Sequence, residues 1–315
     1  MLTRRDILAT AAILTTRHAS AKASLPSTPV NFAVPPGACD CHTHIIGDPA
    51  KFPFAANRVY TPEPASPDEM SAVHRALHIQ RVVIVTPSFY GTDNSATLYG
   101  MKARGPDARG IAVIDEKTPE ADLDVMGRAG IRGIRLNLAT VGQSDPQVAR
   151  RLFQSAVDRV RRLKWHIQIY ADLPVIAGIH DLVESSPVPV VFDHFGGAQA
   201  SFGLTQPGWP ELVELVRSGK AYVKLSAAYR VSTQPPDYPD IAPFARALVA
   251  ANPDRILWGT DWPHTNSNSS RPATEVTPLL AIDDARLLNQ FAAWVPDAAL
   301  RKLILVDNPA RLYRF

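Results

Sequence analysis

Eight apolar runs, each bounded by glycine, proline or small polar residues, organise the chain: Ala38–Ile45, Arg81–Ser88, Gly110–Asp115, Gly133–Leu138, His166–Asp172, Val188–Phe195, Ala221–Ala227 and Ile256–Asp261. Their length and their content of Val, Ile and Leu predict strands. Most are nearly continuous in apolar residues instead of alternating, the pattern of strands covered on both faces, as in a parallel sheet. Successive starts lie roughly 20–45 residues apart, room for a helix between each pair. Helix signals fill those gaps. Ser66-Pro67-Asp68-Glu69 reads as a capping box opening a helix over Asp68–Leu77. Thr118-Pro119-Glu120 and Asp145-Pro146 open helices in the same way, and Gln147–Leu163 carries Val148, Leu152, Ala156, Val157 and Val160 on one stripe. A strand-helix alternation repeated eight times predicts an α/β fold, a closed (β/α)₈ TIM barrel spanning 37–315, with a doubly wound open sheet as the alternative.

Residues 1–23 stand apart. Arg4-Arg5 precede an apolar stretch from Ile7 to Thr16, and Ala21-Lys22-Ala23 offers a small-x-small cleavage site. That layout predicts a twin-arginine signal peptide, followed by a linker over 24–36, and hence a periplasmic or secreted protein handled by the twin-arginine export machinery. Without the leader the chain carries 29 basic and 29 acidic residues, so its basic excess belongs to the leader and predicts no attraction to nucleic acid. No apolar run reaches the ~18–20 residues that span a bilayer, so no stable membrane anchor is expected. The two cysteines, Cys39 and Cys41, are too few for a zinc ribbon and too close on one strand to pair.

Chemistry gathers at the C-terminal ends of three predicted strands, where barrels of this kind build active sites. The first strand ends Asp40-Cys41-His42-Thr43-His44. Strict alternation would put Asp40, His42 and His44 on one face and the cysteines on the other. Two imidazoles there can bind a divalent metal, act as acid–base groups, or make hydrogen bonds in a packed barrel end. The sixth strand ends Phe192-Asp193-His194-Phe195-Gly196-Gly197, and the eighth reads Trp258-Gly259-Thr260-Asp261-Trp262-Pro263-His264. A carboxylate leaving an apolar strand needs a partner or a task, because burying it unpaired is costly.

Together these motifs, with Gly91-Thr92-Asp93-Asn94, Arg132-Gly133-Ile134-Arg135-Leu136-Asn137 and the terminal Asn308-Pro309-Ala310-Arg311-Leu312-Tyr313, resemble the amidohydrolase superfamily in its amidohydrolase-related branch. Within it the chain is most similar to the lactonase group of 2-pyrone-4,6-dicarboxylate hydrolases, sulfomuconolactone hydrolases and sugar-acid lactonases. The resemblance implies a hydrolase opening a carboxylated lactone. Asp261 would be the general base that activates water, and His42, His44 and His194 would polarise the carbonyl. Tyr60, Ser88, Arg135, Tyr170 and Arg230 would hold the substrate, arginine being suited to grip a carboxylate in a fork.

Two departures from the family pattern shape the expectation. Metal-dependent relatives place a histidine on the fifth strand, where this chain has Tyr170; His166 lies at the wrong end of that strand. A site that needs no metal is therefore expected, with zinc or manganese held by His42, His44 and Asp261, joined by His194, as the alternative. That alternative would suit a metal-dependent amidohydrolase or decarboxylase, and lactone isomerisation is a further variant. Second, Ala139-Thr140-Val141-Gly142 stands where pyrone dicarboxylate hydrolases carry extra basic residues, which points to an anionic lactone with a single acid group.

Overall fold

A computed structural model describes residues 23–267 and 270–315; the expected leader, up to residue 22, lies outside the described residues. All eight apolar runs form strands: β1 (Cys39–Thr43), β2 (Arg81–Val85), β3 (Ala108–Ala112), β4 (Ile131–Asn137), β5 (His166–Tyr170), β6 (Val190–Phe192), β7 (Ala221–Ser226) and β8 (Ile256–Gly259). They pair in parallel and strictly in chain order. A doubly wound sheet would reverse that order at a switch point, so the open-sheet alternative falls. The ring closes just beyond the strands. Thr43 bridges Trp262 in parallel, His44 N donates to Trp262 O (2.8 Å), and Asp261 N donates to His42 O (2.9 Å).

The strands end earlier than the apolar runs did, because the residues with chemistry turn off the sheet. Their outward faces pack under the helices in the main core. The inward faces of β1, β2, β3, β6, β7 and β8 meet in a second cluster that Leu312 and Tyr313 close from below. This leaves the upper mouth of the barrel for a site.

Three helices show how the local signals fared. In α1 (Pro67–Ala76) the capping box forms, with Ser66 N donating to Glu69 Oε2 (2.8 Å) and Glu69 N to Ser66 Oγ (3.3 Å). At α2 (Glu120–Ala129) Pro119 takes the cap position without a side-chain bond, while the Thr118 hydroxyl donates to Asp115 Oδ1 (2.9 Å). At α3 (Pro146–Val160) Asp145 caps Gln147 N (2.8 Å). Its buried row is Ala149, Phe153, Ala156 and Val160, and Leu152 is 41% exposed. The expected stripe is turned by about one residue because Phe153, with the larger apolar area, goes inward.

The alternation expected at the end of β1 breaks at a bulge. Asp40 pairs with Val82 but Thr43 with Ile84, so three residues of β1 advance against two of β2. Asp40 therefore faces outward to α1, where His74 Nε2 lies 3.2 Å from its Oδ2, and Thr43 Oγ1 meets Met70 on the same helix. Cys39 and Cys41 join the inner cluster. His42 and His44 also face the barrel mouth, but Asp40 does not share their face. Instead it fastens the seam: Oδ1 accepts from His42 N and Thr260 N (both 3.0 Å), and Oδ2 from the Thr260 hydroxyl (2.6 Å).

Gly259 makes this seam possible. A Cβ there would lie 2.8 Å from His42 N and 2.9 Å from His42 Cβ. Gly259→Ala is thus expected to lose about 1–3 kcal/mol of stability in denaturant unfolding, since the β1 backbone itself must yield.

Of residues 24–36, read as a linker, the stretch 24–31 lies against α4 (Asp284–Trp294) and the turn before it. The Ser24 hydroxyl donates to Ile282 O (2.9 Å), the Thr28 hydroxyl to Asp283 Oδ2 (2.5 Å), and Asn289 Nδ2 to Pro29 O (2.9 Å).

Candidate active site

His42 and His44 rise from β1, His194 follows β6, and Asp261 follows β8. His194 (φ 48°) and Asp261 (φ 66°) both adopt the left-handed backbone region. For residues with a Cβ this costs about 1–2 kcal/mol each, and such strain is retained where the surroundings over-determine it. The next turn depends on glycine: a Cβ on Gly197 (φ 71°) would lie 2.3 Å from Ala171 O.

Three imidazoles converge on one oxygen. His44 Nε2, His42 Nε2 and His194 Nε2 lie 3.4, 3.5 and 3.8 Å from Asp261 Oδ1. The other carboxylate oxygen, Oδ2, accepts from the Tyr229 hydroxyl (2.6 Å) and Arg230 Nε (2.8 Å). Each ring is fixed from behind. His44 Nδ1 is 2.7 Å from Val85 O, which can only accept, so that nitrogen carries the proton. His194 Nδ1 meets the Ser226 hydroxyl (2.8 Å), and His42 Nδ1 meets Lys224 Nζ (3.3 Å).

Below the histidines lies a buried polar layer. Asp193 Oδ2 accepts from Arg135 Nε (3.1 Å) and Gln168 Nε2 (3.0 Å), while Lys224 Nζ donates to Gln168 Oε1 (2.7 Å). Lys224 is 0% exposed and lies 3.3 Å from Asp193 Oδ1. Two carboxylates (Asp193, Asp261) thus face three cations (Arg135, Lys224, Arg230), an excess of one positive charge when the rings are neutral.

Burial would push the Asp261 carboxyl up, but Arg230, then His194, His44 and His42, hold it well below the usual carboxylate range. Burial likewise favours a neutral His194, pulled down to about 4 against the opposing charges of Asp261 and Asp193. It also pulls down His42, with Lys224 adding to the effect against Asp193. At the far end of β5, His166 is lowered to about 3, first by burial and then by Lys224, and packs against the Tyr313 ring.

These depressed values set a sign for stability. The unfolded histidines take up protons near pH 6.5, whereas the folded ones stay neutral to lower pH. The stability they contribute is therefore complete above about pH 6.5 and is lost as pH falls toward the folded values near 4 and 3. Melting curves should show a Tm level above about pH 6.5 that falls steadily from there to about pH 4.5, and a flat profile over that lower range would contradict the neutral buried rings.

The donor set also fits a divalent cation. His42, His44 and Asp261 offer ligand atoms within 4.8 Å of one another, and His42, Asp193 and His194 form a second such group. His42 Nε2 and Asp261 Oδ1 are buried without a hydrogen-bond partner among the described residues. Two imidazole nitrogens and a carboxylate oxygen with an open position are the ligands catalytic zinc sites use.

A small pocket opens over these groups. His44, His194 and Asp261 line it together with all five expected substrate-holding residues, Tyr60, Ser88, Arg135, Tyr170 and Arg230. His42 lies beneath, with no exposed surface. Arg230 keeps 13% of its side chain exposed although it is paired with Asp261. Tyr170 packs edge-on to His194 (5.0 Å between ring centres) with Arg135 over its face (5.6 Å), so aromatic packing takes the place of a fifth-strand histidine.

Sequence reasoning passed over Lys224, Asp193, Gln168 as a partner, and Tyr229, as well as the pocket residues Asn137, Thr140, Thr265 and Ser267. A lysine in the middle of the apolar run Ala221–Ala227 was the available signal for the first. Asp193, adjacent to His194 at a strand end, was the signal for the second.

The chain also has relatives among known proteins. The chain is 35% identical over 287 residues to a 4-sulfomuconolactone hydrolase of Rhizobium radiobacter, covering 91% of this chain and 93% of the relative. It is 33% identical over 297 residues to a 2-pyrone-4,6-dicarboxylate hydrolase of Comamonas testosteroni, with the same coverage of both chains. The apo crystal structure of an Agrobacterium tumefaciens protein superposes with a TM-score of 0.78 at 26% identity, covering 93% of this chain and 99% of that one. Residues 39–315 match the family model described as Amidohydrolase, and the chain belongs to that family.

Proposed function

We propose that this protein hydrolyses a small lactone bearing one acid group, with Asp261 as the base that takes a proton from the attacking water. The observation that carries this reading is the convergence of three imidazole Nε2 atoms on Asp261 Oδ1 at the floor of a pocket that also holds two arginines. Lactone opening needs a deprotonated base, a polar site for the oxyanion and an anchor for the acid group, and these groups supply all three. Water beside Asp261 Oδ1 gives up a proton as its oxygen bonds to the lactone carbonyl carbon. His194, whose Nδ1 can accept from the Ser226 hydroxyl and so leave its proton on Nε2, polarises the carbonyl oxygen from the pocket wall, while His42 and His44 flank Asp261 Oδ1. The ring C–O bond then breaks, and the proton held by Asp261 passes to the departing alkoxide.

A carboxyl held so low is a poor base at rest, since proton transfer is favoured when the base is matched to its task. The Arg230 pairing resolves this. When the substrate's acid group engages Arg230, it shares the charge that holds Asp261 down, and the base strengthens as the substrate arrives. The single excess positive charge and the absence of basic residues at 139–142 favour one acid group over two. The names of the Rhizobium and Comamonas relatives, both lactone hydrolases, support a lactone substrate, and the dicarboxylate in the second name makes the number of acid groups the point the panel decides.

A second reading rests on the partnerless His42 Nε2 and Asp261 Oδ1. A zinc or manganese ion held by His42, His44 and Asp261 would supply Lewis-acid polarisation of the carbonyl and a more acidic water. A panel of lactones with no, one and two acid groups, assayed beside metal analysis of protein purified without chelator, separates the readings. Metal-independent turnover, fastest on the singly charged lactones, is expected. Stoichiometric metal whose removal abolishes turnover would replace the first reading with the second, and no turnover of any lactone would sink both. The Arg4-Arg5 leader supports action outside the cytoplasm; the mass of the exported chain, expected to begin at Ser24, checks it.

A further inference from the structure

We propose that Lys224 is a positioning residue that keeps the ring proton of His42 on Nε2, facing Asp261, and thereby holds the metal affinity of this site down. Three atoms with lone pairs surround the Lys224 ammonium group: Gln168 Oε1 at 2.7 Å, Asp193 Oδ1 at 3.3 Å and His42 Nδ1 at 3.3 Å. The Gln168 amide orientation is fixed, because its Nε2 donates to Asp193 Oδ2 (3.0 Å) and its oxygen must then face the lysine. An ammonium carries three N–H groups and no acceptor. A proton on His42 Nδ1 would set donor against donor at the third contact.

Asp193 Oδ1 is the competitor. It lies 3.1 Å from the same ring nitrogen and 3.3 Å from the lysine, whose charge it already answers. The aligned contact to Nδ1 comes from the lysine. A neutral imidazole that accepts at Nδ1 carries its proton at Nε2, because the partner of one ring nitrogen decides the state of the other. That Nε2–H points toward Asp261 Oδ1 at 3.5 Å and stands where a ligand lone pair would be needed. Metal-ligating histidines usually donate their second N–H to a carboxylate or carbonyl, as His44 does to Val85 O. At His42 the carboxylate is present and the lysine preempts it. Lys224 lies in a layer buried beneath the pocket and is not among the residues lining it.

The proposal rests on the site assignment above but not on the lactone, so its test reads ring protonation and zinc binding instead of turnover. In chelator-treated protein labelled with ¹⁵N-histidine, with the His42 signals identified by their loss in His42→Asn, the wild-type ring should carry its proton on Nε2. In Lys224→Met the proton should move to Nδ1, toward Asp193, and zinc affinity by chelator competition should rise about tenfold or more, the scale of second-partner effects at metal sites. A wild-type His42 protonated on Nδ1 overturns the proposal without any variant, even if Lys224→Met does not fold. A folded Lys224→Met with an unmoved ring proton or unchanged zinc affinity overturns it equally. A failure of the lactone panel, by contrast, bears on the function and leaves this result standing.

Discussion

Asp261→Asn is expected to lower kcat by about three to four orders of magnitude while KM stays within a few-fold, the signature of losing a base used only in the transition state. Asparagine keeps the shape of the side chain, and its oxygen can still accept from Tyr229 and Arg230, which now bond Oδ2. What disappears is the negative Oδ1 on which the three imidazoles converge. Steady-state kinetics on the lactone identified by the panel, with melting curves to show that the variant folds, make the comparison. A fall in kcat of less than about tenfold would remove Asp261 from the role of base.

Arg230→Gln should act on both halves of the reaction. Loss of a charge-assisted contact to the substrate's acid group should raise KM about 10- to 100-fold. The rise should vanish for a lactone that lacks the acid group. The pH profile supplies an independent sign. Burial raises the Asp261 carboxyl, and Arg230 is the first of the charges that overcome it. Without the arginine the carboxyl moves up, and since only the deprotonated form accepts a proton, the acid limb of kcat should shift to higher pH. An unshifted limb would mean that the 2.8 Å pairing does not control the base.

The barrel was legible because two-sided burial writes itself into a strand as a continuous apolar run, and eight such runs at helix-sized intervals admit few architectures. The convergence of His42, His44, His194 and Asp261 was legible because they interrupt those runs at their C-terminal ends and together resemble the amidohydrolase pattern. Strand endings were less so. His194 and Asp261 lie beyond β6 and β8 in left-handed backbone, which apolar patterning does not encode. The face of Asp40 was misread for a related reason. Period-two alternation has no term for a bulge, and the extra residue between Asp40 and Thr43 follows from fitting β1 against β2 and β8 at the seam. The layer that Asp193, Gln168 and Lys224 build around Arg135 was hidden because its residues come from different strands or from the turn beyond β6 and become partners only once the ring has closed.

The most direct test of the central claim is the fate of solvent oxygen. Wild-type protein turning over its lactone in oxygen-18 water should place one labelled oxygen in each newly formed carboxylate, detected by the mass of the open-chain acid, and Asp261→Asn should form this product far more slowly. A ring-shifted lactone free of label would show isomerisation, and either that result or undiminished labelled product from Asp261→Asn would contradict water attack directed by Asp261.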